Sequence, residues 1–201
     1  MYNSRLSIQI PKRPRFCLEI RKDGRETDMK YDSSHTFVTS DHHFGSWKIN
    51  QSPWREPVFS QEEEEELIAK WNSVVKPTDL VIHVGDFCDS GAVDLMEYRK
   101  RLNGNIVLVK GNHDSLPDDV YNAVFSSICE ELVIKELELI FRHCPNPNDG
   151  TGFRQVYGHE HIEGGLFCPM GSKTSFCACV MRHNGFPTSL SDILIGLEKR
   201  Q

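Results

Sequence analysis

From residue 35 onward, short apolar runs recur, and each ends in a knot of polar residues. His35–Ser40 reads as a strand ending at Asp41, Asp79–Val84 as a strand ending at Gly85-Asp86, and Asn105–Val109 as a strand ending at Gly111-Asn112. Between the first two, the apolar period lengthens to that of a helix. Leu67, Trp71 and Val74/Val75 share one face, and Ser60 with Glu63 makes a capping box at the start. The run Glu62–Glu66 then reads as a solvated first turn, its carboxylates favoured by the positive end of the helix dipole. Further helices are expected over Ala92–Leu102 and Asp118–Ser127. Strands alternating with helices make an α/β domain whose strand-terminal loops gather along one edge, where functional groups belong.

After residue 128 the pattern becomes strand-rich. Ile128–Lys135 and Leu137–Arg142 are expected to pair tightly, with further strands at Arg154–Tyr157 and Ser175–Arg182, a loop over Asn146–Gly152, and a C-terminal helix from about Ser189. Residues 1–34 read as an N-terminal extension. Short apolar runs at Arg5–Ile10 and Phe16–Ile20, separated by Pro11 and Pro14, suit a hairpin or edge strands ahead of one domain over 35–201.

Composition changes this picture in three ways. A chain of 201 residues with 38% apolar and 26% charged content buries one sizeable core, which suits a single domain. No apolar run approaches the roughly 18 residues of a membrane span, and the first residues lack the pattern of a secretory signal, so a cytoplasmic protein is expected. Seven cysteines at scattered positions suit free thiols in a reducing compartment. The net charge of −6 argues against general duplex binding. Residues 1–30 nevertheless hold eight Lys and Arg against four Asp and Glu, leaving 15 against 25 in the rest of the chain. A pair of divalent cations would offset about four negative charges of that acidic body at one spot.

Five segments place Asp, Asn or His beside glycine or at the end of an apolar run: Asp41-His42-His43, Gly85-Asp86, Gly111-Asn112-His113-Asp114, His143, and Gly158-His159-Glu160-His161. Alone, each would be a turn former or a hydrogen-bonded core histidine. In an extended segment, residues i and i+2 point to one side, so Asp41 and His43 can grip one ion and His159 and His161 can face one cleft. His42 and Glu160 then become supports or surface residues. Oxygen and imidazole donors without a thiolate suit Mn, Fe, Zn, Co or Ni and argue against a structural zinc site.

The ordered series Asp-X-His, Gly-Asp, Gly-Asn-His-Asp, His and Gly-His-X-His, running from Asp41 to His161, resembles that of the calcineurin-like metallophosphoesterases. Thr39-Ser40-Asp41, His43-Phe44-Gly45, Trp71-Asn72 and Gly85-Asp86-Phe87 resemble the small single-domain branch of bacteria and phages. The resemblance implies two mixed β-sheets packed as a sandwich and flanked by helices in four αββα layers, with a dinuclear metal site at the strand ends. It implies one metal on Asp41, His43, Asp86 and His161, and another on Asp86, Asn112, His143 and His159, with Asp86 bridging. Two divalent ions, manganese foremost, would activate a bridging water and stabilise in-line displacement at phosphorus. His113 would act near the leaving group, and Asp114 would orient it by accepting its other ring N–H.

A phosphate ester is thus the expected substrate, a phosphodiester of nucleotide or single-stranded nucleic-acid type foremost. The alternative is a non-catalytic metal-binding scaffold on the same fold. Ser46 departs from the branch, which commonly has a second His there. Cys88 and Cys144, beside proposed ligands, read as small partly buried residues, with an extra metal ligand or a redox brake as the alternative. Trp47, Lys48, Trp54 and Arg55 form either a rim able to stack a base or a hydrophobic plug.

Overall fold

A computed structural model of the chain describes residues 16–22, 25–49, 58–161, 166–170 and 173–200. The elements are β1 (Phe16–Lys22), β2 (Arg25–Tyr31), β3 (Thr36–Thr39), α1 (Ser46–Ile49), α2 (Gln61–Val74), β4 (Leu80–His83), α3 (Ala92–Arg101), β5 (Asn105–Val109), α4 (Asp118–Asn122), β6 (Ser127–Cys129), β7 (Leu132–Ile134), β8 (Leu139–Arg142), β9 (Arg154–Tyr157), β10 (Phe167–Met170), β11 (Lys173–Cys177), β12 (Thr188–Ser189) and α5 (Leu190–Glu198). They form two mixed sheets, ordered β12-β3-β4-β5-β6 and β10-β11-β9-β8-β7-β1-β2. The fold is the expected α/β sandwich.

Alternation along the central strands builds both faces of the first sheet. Val81, Ile106 and Leu108 pack with Leu67, Trp71, Leu95 and Tyr121 from α2, α3 and α4. Ile82, Val107 and Val109 point the other way, against Leu132, Leu139, Phe141 and Val156 of the second sheet. The α5 helix, capped by the Ser189 hydroxyl accepting from the Asp192 N–H, adds Leu190, Ile193 and Leu197 to this core between the sheets. β3, β4 and β5 run parallel, as do β8 and β9, so their C-terminal ends can deliver loops to a common edge. Among the described residues, no helix is long and apolar enough to cross a membrane.

Several elements differ from the sequence reading. The run Ile128–Lys135 is not one strand: β6 pairs with β5 in the first sheet, and β7 pairs with β8 and β1 in the second. The helix expected over Asp118–Ser127 ends at Asn122, because the Ser126 N–H bonds to the Ile106 carbonyl and draws the chain into β6. The strand expected over Ser175–Arg182 stops at Cys177, and Val180–His183 turns as a 3₁₀ helix. The N-terminal hairpin uses β1 and β2 and joins the second sheet through Glu19 opposite Val133 and Ile20 opposite Leu132. Arg5–Ile10, Trp54 and Arg55 lie outside the described residues.

The glutamate run is only partly solvated. Glu64 is buried, and its carboxylate accepts from the Gly45 N–H at 2.7 Å, the Trp47 indole N–H at 3.0 Å and the Tyr98 hydroxyl at 2.5 Å. Trp47 and Lys48, expected at a substrate rim or plug, are thereby tied to α2 and α3, since Lys48 pairs with Asp94. Ser46 is also buried, and its Oγ accepts from the Phe59 N–H.

Candidate metal centre

Five loops at the strand ends carry the proposed ligands. Asp41 and His43 follow β3, Asp86 follows β4, Asn112 follows β5, His143 follows β8, and His159 and His161 follow β9. Asp41, His43, Asp86 and His159 all adopt left-handed backbone conformations, with φ of 61°, 45°, 56° and 67°. Such conformations cost non-glycine residues about 1–3 kcal/mol each and persist only where the surroundings enforce them. Here the Asp41 N–H bonds to the Gly85 carbonyl and the His43 N–H to the Asp86 carbonyl, both at 3.0 Å, and the His159 N–H bonds to the Asp41 carboxylate at 2.9 Å. Asp41 and His43 therefore converge through left-handed backbone, not through strand alternation. His159 and His161 face opposite halves of one centre.

In one half, His161 Nε2 lies 3.2 Å from Asp41 Oδ1 and 3.3 Å from His43 Nε2, and His43 Nε2 lies 3.5 Å from Asp86 Oδ2. In the other, His143 Nε2 lies 3.1 Å from both Asp86 Oδ2 and Asn112 Oδ1, and His159 Nδ1 lies 3.0 Å from the same Asn112 oxygen. Two glycines permit this approach. A Cβ on Gly85 would stand 2.4 Å from His143 Nδ1, and one on Gly111 would stand 2.2 Å from Asp86 Oδ1. Neither position has room for a side chain.

Hydrogen bonds on the far sides fix how the rings face. His143 Nδ1 lies 2.9 Å from the Val84 carbonyl, so it carries the proton in the neutral ring, and Nε2 presents a lone pair to two acceptor oxygens. His43 Nδ1 faces the Asp89 carboxylate at 3.0 and 3.1 Å, which directs the His43 Nε2 lone pair toward Asp86 and His161. Lone pairs facing lone pairs repel unless protons or cations lie between them. This donor set fits divalent metal ions, with oxygen and imidazole ligands and orienting partners behind them.

The same charges shift protonation in the metal-free centre. Burial lowers the His143 pKa, but the Asp86 carboxylate more than reverses this and raises it to about 8. Burial likewise disfavours charged His43, and Asp89 with Asp86 and Asp41 brings it above its ordinary value. For Asp41 and Asp86 burial works against ionisation, yet His161 beside one and His143 beside the other hold both below the usual carboxylate range.

Two supporting roles differ from expectation. Asp114 does not touch the His113 ring: its carboxylate accepts the backbone N–H groups of Asp86 at 2.8 Å, Phe87 at 3.1 Å and Gly111 at 2.8 Å. It ties the β4 and β5 loops together, and its burial pushes its pKa up to about 6. Asp89 stands beside His113 instead, with Oδ1 3.4 Å from Nδ1, while the His113 ring meets His43 edge to face. Asp89 escaped the sequence reading because no histidine or glycine motif flanks it; its place three residues after Asp86 is the one local signal. His42 is fully buried and pairs with His83 at 2.9 Å; burial pulls the His42 pKa to about 3 and that of His83 well down, so both are neutral supports. Glu160 is exposed.

Comparison with known proteins agrees with this architecture. The family model for calcineurin-like phosphoesterases matches residues 35–193, and the chain belongs to that family of metal-dependent phosphoesterases. An uncharacterised protein of Methanocaldococcus jannaschii is 36% identical over 80 residues, which is 39% of this chain; the matched stretch spans 46% of that relative. The crystal structure of a protein of unknown function from Aquifex aeolicus superposes with a TM-score of 0.56 at 22% identity, covering 79% of this chain and 96% of that one, a likeness of fold.

Proposed function

We propose that the protein is a cytoplasmic dinuclear-metal phosphoesterase that hydrolyses phosphodiesters of nucleotide or single-stranded nucleic-acid type. The observation that carries this reading is the position of Asp86. Its Oδ2 lies 3.5 Å from His43 Nε2 and 3.1 Å from His143 Nε2, while the His113 backbone N–H holds its Oδ1 at 2.9 Å. One carboxylate thus serves two histidine subsites. In this reading Asp41, His43, Asp86 and His161 hold one ion, and Asp86, Asn112, His143 and His159 hold the other. Manganese suits the oxygen and imidazole set, with Fe, Zn, Ni and Co as alternatives. Bound there, two divalent ions supply Lewis acidity, which makes a bound water nucleophilic near neutral pH and neutralises charge on phosphoryl oxygens.

The chain's own groups do the rest. Asp89 and the Val84 carbonyl keep the Nδ1 protons of His43 and His143 outward, so each Nε2 stays a ligand atom. Asn112 contributes a neutral oxygen, which limits the negative charge of the ligand set. His113 is part-exposed beside this cluster with Nδ1 turned toward Asp89, leaving Nε2 to give a proton to the departing ester oxygen. An open cavity of about 570 Å³ lies beside Asn112 and His143, with Lys110 and Arg142 in its lining.

The test is hydrolysis of bis-p-nitrophenyl phosphate and p-nitrophenyl phosphate after loading with Mn²⁺. Faster turnover of the diester, lost in Asp86→Ala, is expected. Hydrolysis of neither ester by the loaded wild-type protein would overturn the reading.

A further inference from the structure

The cavity beside the second half of the centre is lined by Asn112, His143 and also Cys144. Cys144 is an exposed free thiol. Its Sγ and one ring nitrogen from each of His143 and His159 all lie within 4.8 Å of one another. Sulfur binds such metals at about 2.3 Å and imidazole at about 2.1 Å, so donors sharing one tetrahedral ion stand about 3.4–3.6 Å apart. The observed spacing therefore needs closing by about 1.4 Å at most, which rotation of the exposed Cys144 side chain can supply.

The other thiols near the centre are differently placed. Cys88, two residues after Asp86, is buried with its Sγ 3.6 Å from Ser90 Oγ. Cys177 is buried, with its Sγ toward the Glu160 carbonyl. Neither joins the clusters of ligand atoms formed among the described residues.

We propose that Cys144 is a thiolate ligand of the second ion, alongside Asp86, Asn112, His143 and His159. The inference rests on the two-ion reading above and adds a ligand to it. As the sulfur–metal bond forms, the thiol proton passes to solvent, and the subsite gains one negative charge. Thiolate is a softer donor than carboxylate or amide oxygen, so this half of the centre selects a borderline-soft cation such as Zn²⁺ or Co²⁺ over Mn²⁺. The half built on Asp41, His43 and His161 has no such donor among the described residues.

Cobalt loading tests this, because thiolate bound to Co²⁺ gives a near-ultraviolet charge-transfer band that oxygen and nitrogen ligands do not. Metal content and absorbance would be measured together in the wild type, Cys144→Ser and Cys144→Ala. The expected result is two Co²⁺ per chain with the band in the wild type, and two Co²⁺ without it in both variants. In competition, preference for Zn²⁺ over Mn²⁺ should fall about 10-fold or more in the variants. Cobalt uptake by the wild type without the band, or a band that survives in both variants, would overturn the inference and leave the two-ion reading standing. No cobalt uptake by the wild type would overturn both, and the metal count separates these results.

Discussion

Asp89 faces Nδ1 of His43 with both carboxylate oxygens, at 3.0 and 3.1 Å, from a position that no local motif marks. A carboxylate behind a ligating imidazole fixes the ring and strengthens it as a donor. Asp89→Ala should weaken binding of the ion at Asp41, His43 and His161 by about 10- to 100-fold, and Asp89→Asn, which keeps an acceptor, should recover part of it. Titration calorimetry with Mn²⁺ checks this; unchanged affinity in Asp89→Ala would contradict the role.

His143 links protonation both to folding and to metal binding. Its pKa in the metal-free fold, raised to about 8 by Asp86, exceeds the 6.5 of an ordinary histidine. The protonated ring therefore stabilises the metal-free fold fully below pH 6.5, by about 2 kcal/mol, and this is lost as pH rises through 8. Metal binding must expel that proton and, at the same ion, the Cys144 thiol proton, so metal affinity should move the opposite way, rising by more than about tenfold per pH unit below pH 8 and still rising above it, whereas in Cys144→Ala it should level near pH 8. Neutral His42 and His83 act in the opposite sense as pH rises through 6.5, so the His143 contribution is read as the difference in melting temperature between the wild type and His143→Asn, which should shrink as pH rises through 8 while metal affinity rises.

His113 contributes its backbone N–H to Asp86, and that bond does not depend on its side chain. His113→Ala should therefore retain both ions and lose about 10²- to 10⁴-fold in turnover. Metal analysis beside steady-state kinetics separates the two effects, and metal loss equal to that of Asp86→Ala would show a ligand instead.

Glu64 supports the first metal loop from below. Glu64→Ala would leave the Gly45 N–H, the Trp47 indole and the Tyr98 hydroxyl without their acceptor, costing about 3 kcal/mol or more. Thermal unfolding should show a melting temperature lower by roughly 6–12 °C. A shift no larger than that of an exposed neighbour such as Glu65→Ala would contradict the buried bonding.

Where local pattern and tertiary environment agreed, the chain was readable. β4 and β5 read as short continuous apolar runs because both faces of their sheet are buried, and α2 carries its capping box and apolar stripe in adjacent residues. Ile128–Lys135 reads as one strand although Glu130-Glu131 interrupts it; a two-residue polar break does not say by itself that the chain leaves one sheet for the other. Glu64 was hidden for a similar reason: within a run of glutamates, only the approach of Gly45, Trp47 and Tyr98 distinguishes one carboxylate from the next. In the centre, candidate ligand types, their order and the division of His159 from His161 were available from the motifs and the family resemblance, but the left-handed backbone at Asp41 and His43 depends on bonds between distant loops. Asp89 stands where Asp114 was expected, beside His113, because adjacency along the chain is a poor guide to contact across a loop.

The central claim is that Asp86 joins two metal sites. The most direct measurement is the Mn²⁺ content of the loaded protein together with its electron paramagnetic resonance spectrum, in the wild type and Asp86→Ala. Two ions per chain with an exchange-coupled signal, replaced in the variant by fewer ions and an uncoupled signal, is the expected result. One ion per chain in the wild type, or coupling unchanged without the Asp86 carboxylate, would contradict it.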